Sequence, residues 1–368
     1  MTAKYYALMG TAALAVLLLP GATVYYEYSG GRGCVRCHEI QTSYDHWQSS
    51  AHRNIPCTSC HGSALTFDIG FHVANLRRVA AHLAGREGGE IHLKHTDLYP
   101  IAERCGTCHQ HEFADWNAGP HGVTYSKIFL DRKHNTQRLL MDDCLRCHGM
   151  HFEGAIRDLV TPIDLHGPWT LKQPALANRA VIPCLTCHQM HRNGRPLVRA
   201  NPRVETPGPS QQIMTPSLAL YDRREHSHIP AAILPIPEMH DGDRLVKMSP
   251  DRRQGLCYQC HAAPAGMFAG SGDDRTGLGV HEGLSCMACH QGHGQQTRAS
   301  CATCHPRLSN CGIDVEKMDT TFKDTKSPHN IHFVKCADCH PKGVPKKKEP
   351  VGQDSSPAAG LQTRLPPN

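Results

Sequence analysis

Cys34-Val-Arg-Cys37-His38 reads C-x-x-C-H, and the same pattern returns eight more times. The later copies use Cys57, Cys60 and His61; Cys105, Cys108 and His109; Cys144, Cys147 and His148; Cys184, Cys187 and His188. Then follow Cys257, Cys260 and His261; Cys286, Cys289 and His290; Cys301, Cys304 and His305; Cys336, Cys339 and His340. One C-x-x-C would leave a redox or zinc reading open. Nine copies, each followed at once by His, point to covalent haem attachment. Two thioethers clamp the macrocycle edge, and the next residue aims its imidazole at the iron from the proximal side. The cofactor expected is nine covalently bound haem c.

Composition agrees with that reading. Only 39% of the 368 residues are hydrophobic and 6% aromatic, while 28 are histidine. So few large apolar side chains predict that the polypeptide wraps stacked haems rather than building a deep core of its own. The expected fold is mainly α with extensive irregular structure and little or no sheet. The formal charge of +6 omits haem propionates, the basic residues are scattered, and no nucleic-acid module is visible. Cys311 is left without a partner motif, and a buried free thiol is expected there.

The motifs divide the chain. Residues 1–30 hold an uncharged run from Tyr5 to Tyr26, which as a helix would be about 33 Å long. A single N-terminal transmembrane helix is expected, with lipid as its partner. The alternative is a secretory signal, which Pro20-Gly21 favours. Haem attachment belongs outside the cytoplasm, so the expected placement is the inner membrane with a periplasmic haem domain, or the periplasm after cleavage. Residues 31–195 carry five motifs and residues 251–341 carry four. Between them, residues 196–250 are Pro-rich and haem-free, which predicts an extended connector or surface loop. Residues 342–368 read as a disordered tail.

Nineteen histidines remain after the proximal nine, more than a second axial ligand for every iron requires. Three patterns select candidates. His52, His281 and His332 lie four or five residues ahead of a motif. His151, His191 and His293 follow a proximal His by three, too close to reach the far face of the same iron, so each is expected to serve a neighbour. Trp47-Gln-Ser-Ser-Ala-His52 and Trp116-Asn-Ala-Gly-Pro-His121 follow motifs one and three at nearly the same offset, a sign of a duplicated unit that adds His121. His82 and His166 complete the distal set. His72, His92, His95, His111, His134 and His329 are held in reserve.

The first 90 residues resemble the NapC/NirT/NrfH family of membrane-anchored quinol dehydrogenases. The resemblance rests on the apolar run leading into Cys34–His38, on Tyr44-Asp-His-Trp47-Gln-Ser-Ser-Ala-His52, on the closely following Cys57–His61, and on Leu76-Arg-Arg-Val-Ala-Ala-His82-Leu-Ala-Gly85. It implies that the first haem takes electrons from a membrane quinol and that His82 is a haem ligand. Where the family commonly has Met, two residues past the first proximal His, this chain has Ile40, which cannot bind iron. Gly279-Val280-His281-Glu282-Gly283 and the motif after it are loosely similar to decahaem conduits.

Together these readings predict an electron carrier without substrate chemistry of its own. It would be fed by quinol or a quinol-oxidising protein and emptied by a periplasmic redox partner. Two alternatives stand beside it. One is a multihaem reductase of the nitrite or hydroxylamine class with one open iron; the other is an electron-transfer subunit of a larger respiratory complex.

Overall fold

The computed structural model describes residues 2–62, 77, 79–85, 95–191, 218–262, 281–294, 314 and 341–343. Within them the chain is mostly helical and irregular, with few short strands. The helices are α1 (Thr2–Tyr28), α2 (His38–Ser49), α3 (Cys57–His61), α4 (His95–Cys108), α5 (Gln110–Ala118), α6 (Tyr125–Phe129), α7 (Arg132–Asn135), α8 (Ile156–Leu159), α9 (Gln254–Tyr258) and α10 (Cys286–Cys289). Three antiparallel ribbons of two strands each pair β1 (Val160–Thr161) with β2 (Thr170–Leu171), β3 (Ala219–Asp222) with β4 (Ser227–Pro230), and β5 (His240–Asp241) with β6 (Arg244–Leu245).

The expected membrane anchor is overturned. Among the described residues, no helix is long and apolar enough to cross a membrane. α1 has 27 residues; Tyr5, Tyr6, Tyr25 and Tyr28 on it are exposed, and Pro20 removes a backbone donor from its interior. The single-anchor placement in the inner membrane falls with it. The far end of α1 instead docks on the first two motifs. Tyr26 Oη donates to the Gly62 carbonyl at 3.2 Å, and the Arg36 guanidinium lies 6.0 Å from the Tyr25 ring centre.

A conventional apolar core is present, contrary to the expectation from composition. It is drawn from residues 98–185 and includes Leu98, Tyr125, Phe129, Leu145, Phe152, Leu159, Val160 and Val181, all almost fully buried. α4 delivers Leu98, Tyr99 and Ile101 from one face; α6 delivers Tyr125 and Phe129, whose rings stack at 5.7 Å. The phenol of Tyr99 donates to that of Tyr125 at 3.2 Å, so two buried hydroxyls satisfy one another. Gly149, directly after motif four, has φ +80°, and a Cβ there would come within 3.0 Å of the Tyr125 ring. The motif can therefore turn tightly against the core only with glycine at this position.

The second half of the expected connector is packed rather than extended. Ala219 and Tyr221 of β3, and Leu234 and Val246 beyond it, are buried. The Ala219 N–H donates to the Cys187 carbonyl at 3.0 Å, fixing the ribbon to motif five. The proline content that suggested a loop is accommodated because Pro230 sits at the end of an edge strand, where no ladder donor is needed. Residues 192–217 of the connector and the tail from 344 lie outside the described residues.

The core makes a stability prediction. Phe129→Ala removes a fully buried ring and is expected to cost about 3–5 kcal/mol. Leu139→Ala, at a residue 48% exposed, is expected to stay within about 0.5 kcal/mol. Denaturant unfolding of the two variants reads the difference.

Candidate haem centres

Five of the described motifs close on themselves in the same way. The backbone N–H of the motif histidine donates to the carbonyl of the first cysteine, at 2.9 Å for His109, 2.9 Å for His148, 3.0 Å for His188, 2.8 Å for His261 and 2.9 Å for His290. One helical turn therefore brings both thiols and the imidazole to the same short stretch of backbone. Pro56 and Pro183 precede two of the motif turns, where a missing N–H costs nothing. Ser285 caps a third through its hydroxyl, which accepts from Met287 N at 3.2 Å.

The imidazoles then meet in pairs drawn from distant parts of the chain. His38 faces His82 with ring centres 5.4 Å apart, and His52 faces His109 at 6.1 Å. His61 faces His191 at 5.8 Å, His121 faces His261 at 6.2 Å, and His188 faces His293 at 5.9 Å. Two imidazoles on opposite sides of one metal, each bonded through nitrogen at about 2 Å, place their ring centres about 6 Å apart. In every pair one member is a motif histidine and the other was expected as a distal ligand. His191 and His293 each follow one motif and face another.

Burial sets the protonation state these rings need. Burial, and then the facing His293, pushes His188 down to about 4. Burial, and then His61, does the same to His191, also to about 4. His52 and His121 are lowered by burial first and then by His109 and His261. Each is held as the neutral imidazole, whose free lone pair is what a metal takes. Two further atoms point the same way: His148 Nδ1 and His151 Nε2 are buried without a hydrogen-bond partner. An orphaned buried nitrogen is expensive unless something binds it. Paired thiols with neutral imidazoles are the donor set that covalent haem requires, and the residues fit the group.

The remaining candidates are placed differently. His151 stacks on Tyr221 with centres 4.0 Å apart, and burial pushes it down to about 3. His228, which the spacing patterns did not select, lies beside it and bonds through Nε2 to the Leu185 carbonyl at 2.8 Å. His166 is exposed in a loop whose N–H is taken by Asp164 at 2.9 Å. His281 sits half-buried in the turn before motif seven. His332, Cys311, motifs eight and nine, and the side chain of Cys34 lie outside what is described. Glu39 was also missed: its carboxylate reaches His82 Nδ1 at 2.6 Å and His38 Nε2 at 3.3 Å. Its only sequence signal is adjacency to His38.

The motifs also touch one another. The sulfur of Cys105 neighbours that of Cys184, Cys147 neighbours Cys260, and Cys257 neighbours Cys286. Arg104 of α4 donates to the Cys60 carbonyl at 2.9 Å, joining motifs two and three. Cys147 Sγ lies 3.9 Å from the Gln259 carbonyl, joining four and six.

The internal repeat has a common geometry. Tyr44–Trp47 on α2 and Phe113–Trp116 on α5 are both tilted ring pairs at 5.4 Å. In each copy the N–H that closes the helix donates to the Trp carbonyl, Ser50 at 3.0 Å and Gly119 at 3.1 Å.

Comparison with known proteins returns one family. The model of cytochrome c7 and related cytochrome c matches residues 243–306, a span that contains motifs six, seven and eight. No curated protein and no solved structure matches the chain. The cytochrome c7-like segment, with its covalently bound haem c, supports a multihaem c-type cytochrome of electron transfer.

Proposed function

We propose that this chain is a nine-haem electron relay in which most irons are closed by two histidines. The observation that carries the reading is the set of five imidazole pairs, each joining a motif to a residue elsewhere in the chain. Bound haem iron supplies one-electron exchange between its ferric and ferrous forms. The side chains do the rest. Two imidazoles per site leave no position for a substrate, which favours carriage over chemistry at the metal. His188 and His191 are half-buried, which limits reorganisation when charge arrives.

Contacts between motifs support an order for the relay that departs from chain order. Motif two touches three through Arg104 and Cys60, and three touches five through Cys105 and Cys184. Six neighbours both four and seven, through Cys147 with Cys260 and Cys257 with Cys286. His293, three residues after motif seven, faces His188 of motif five. The proposed line runs two, three, five and then the group of six and seven, with four beside six. At the N-terminal end, the resemblance of the first 90 residues to quinol dehydrogenases supports quinol or a quinol-oxidising protein as donor, with a second redox protein as acceptor.

A pyridine haemochrome assay is expected to give nine haems per chain, and low-temperature EPR of the oxidised protein to show predominantly low-spin ferric iron. Mainly high-spin signals would sink the closed relay. His52→Ala and His191→Ala are each expected to convert one haem to high spin. His111→Ala is expected to convert none, since His111 is exposed and paired with Asp115 at 3.2 Å. His293→Met exchanges one imidazole for a thioether, and about one-ninth of the absorbance in a redox titration should move to higher potential.

A further inference from the structure

Among the described motifs, the first differs in having a carboxylate inside its imidazole pair. His38, Glu39 and His82 bring one ligating atom each within 4.8 Å of the others. The Glu39 oxygen nearest both rings is the same atom, Oε1. The Glu39 side chain is 5% exposed, whereas those of His38 and His82 are 81% and 41% exposed. The carboxylate is thus covered at a site that is otherwise open to water.

Local structure explains why Glu39 sits there. Cys37 caps α2, so Glu39 falls in the first turn, where unsatisfied backbone donors and the helix dipole favour a negative charge. The carboxylate accepts from His82 Nδ1 at 2.6 Å. That bond fixes which ring nitrogen of His82 carries hydrogen and leaves Nε2 with the free lone pair. A histidine that donates its second N–H to a carboxylate is a more basic ligand, and a more basic ligand favours the ferric state.

We propose that Glu39 is the positioning residue of the first haem site, orienting His82 as its second ligand and holding that haem at a lower reduction potential than an uncharged partner would. The inference rests on the relay reading above, and its failure can be told apart from failure of that reading. Such a carboxylate also suits the entry end of a relay, because a low potential there drives electrons toward the rest of the chain.

The test is a potentiometric titration of the holoprotein, followed by EPR, for wild type, Glu39→Gln and His82→Ala. Glu39→Gln keeps the shape and removes the charge. It is expected to leave the haem count and the low-spin spectrum intact and to move one component alone to higher potential. Loss of an outer-shell partner typically weakens a metal site by about 10–100-fold. At the lower limit, tenfold in the ferric-to-ferrous preference corresponds to about 59 mV for a one-electron couple. His82→Ala is expected to turn a single haem high-spin. An unshifted titration in Glu39→Gln overturns the proposal. So does a high-spin haem in Glu39→Gln with none in His82→Ala, since Glu39 would then itself be the ligand. In both cases the relay reading survives if wild type still gives predominantly low-spin haems.

Discussion

A motif histidine can fill one axial position, and the turn that holds it keeps the rest of its own motif on the same side of the ring. The second position must be filled from elsewhere. That requirement ties the architecture together more tightly than its secondary structure does, because the helices that carry motifs are only four or five residues long at α3, α9 and α10. Helices so short are not stable alone. His61 of α3 and His261 of α9 each face an imidazole more than a hundred residues away in the chain. In the proposed relay that pairing does the work that long-range apolar contact does in an ordinary domain.

The apolar core from residues 98–185 has a narrower role. It surrounds motif four, through Leu145 and Gly149, and reaches motif five through Val181 and Leu185. Trp116 joins it to the repeat unit by donating from Nε1 to the Ile182 carbonyl at 3.0 Å. The region with conventional packing is thus the one that must hold two motifs and one repeat in register, while the outlying motifs depend more on their imidazole pairs. The β3–β4 ribbon extends this framework across the proline-rich stretch, laying Tyr221 on His151.

Much of the site could be read from the sequence because its chemistry is local. Cys-x-x-Cys-His is a five-residue statement, and a helical turn is all it needs. Distal histidines were legible only as a set. His191 and His293 were recognisable as donors to a neighbour, since a three-residue offset forbids their own iron, but which neighbour depends on tertiary contacts that spacing does not encode. Glu39 was invisible for the same reason: nothing in the order of residues places His82 within hydrogen-bond reach of it. The expected anchor is overturned because, among the described residues, no helix is long and apolar enough to cross a membrane, and Pro20 falls inside α1. The connector was misread because proline signals a loop in isolation, whereas an edge strand tolerates it. The core was missed because composition averages over the chain, and the large apolar residues are concentrated in one segment.

The duplicated unit shows how a chain of this kind can lengthen. Its two copies share a helix, an aromatic pair and a closing hydrogen bond, yet His52 goes to motif three and His121 to motif six. A copy inserted by duplication does not bring a self-sufficient site. In the proposed relay it supplies a ligand to a motif outside itself or takes one from it. Growth by repetition therefore produces an interlocked molecule rather than a string of beads. Cutting such a gene between repeats would leave unfilled coordination on both sides of the cut.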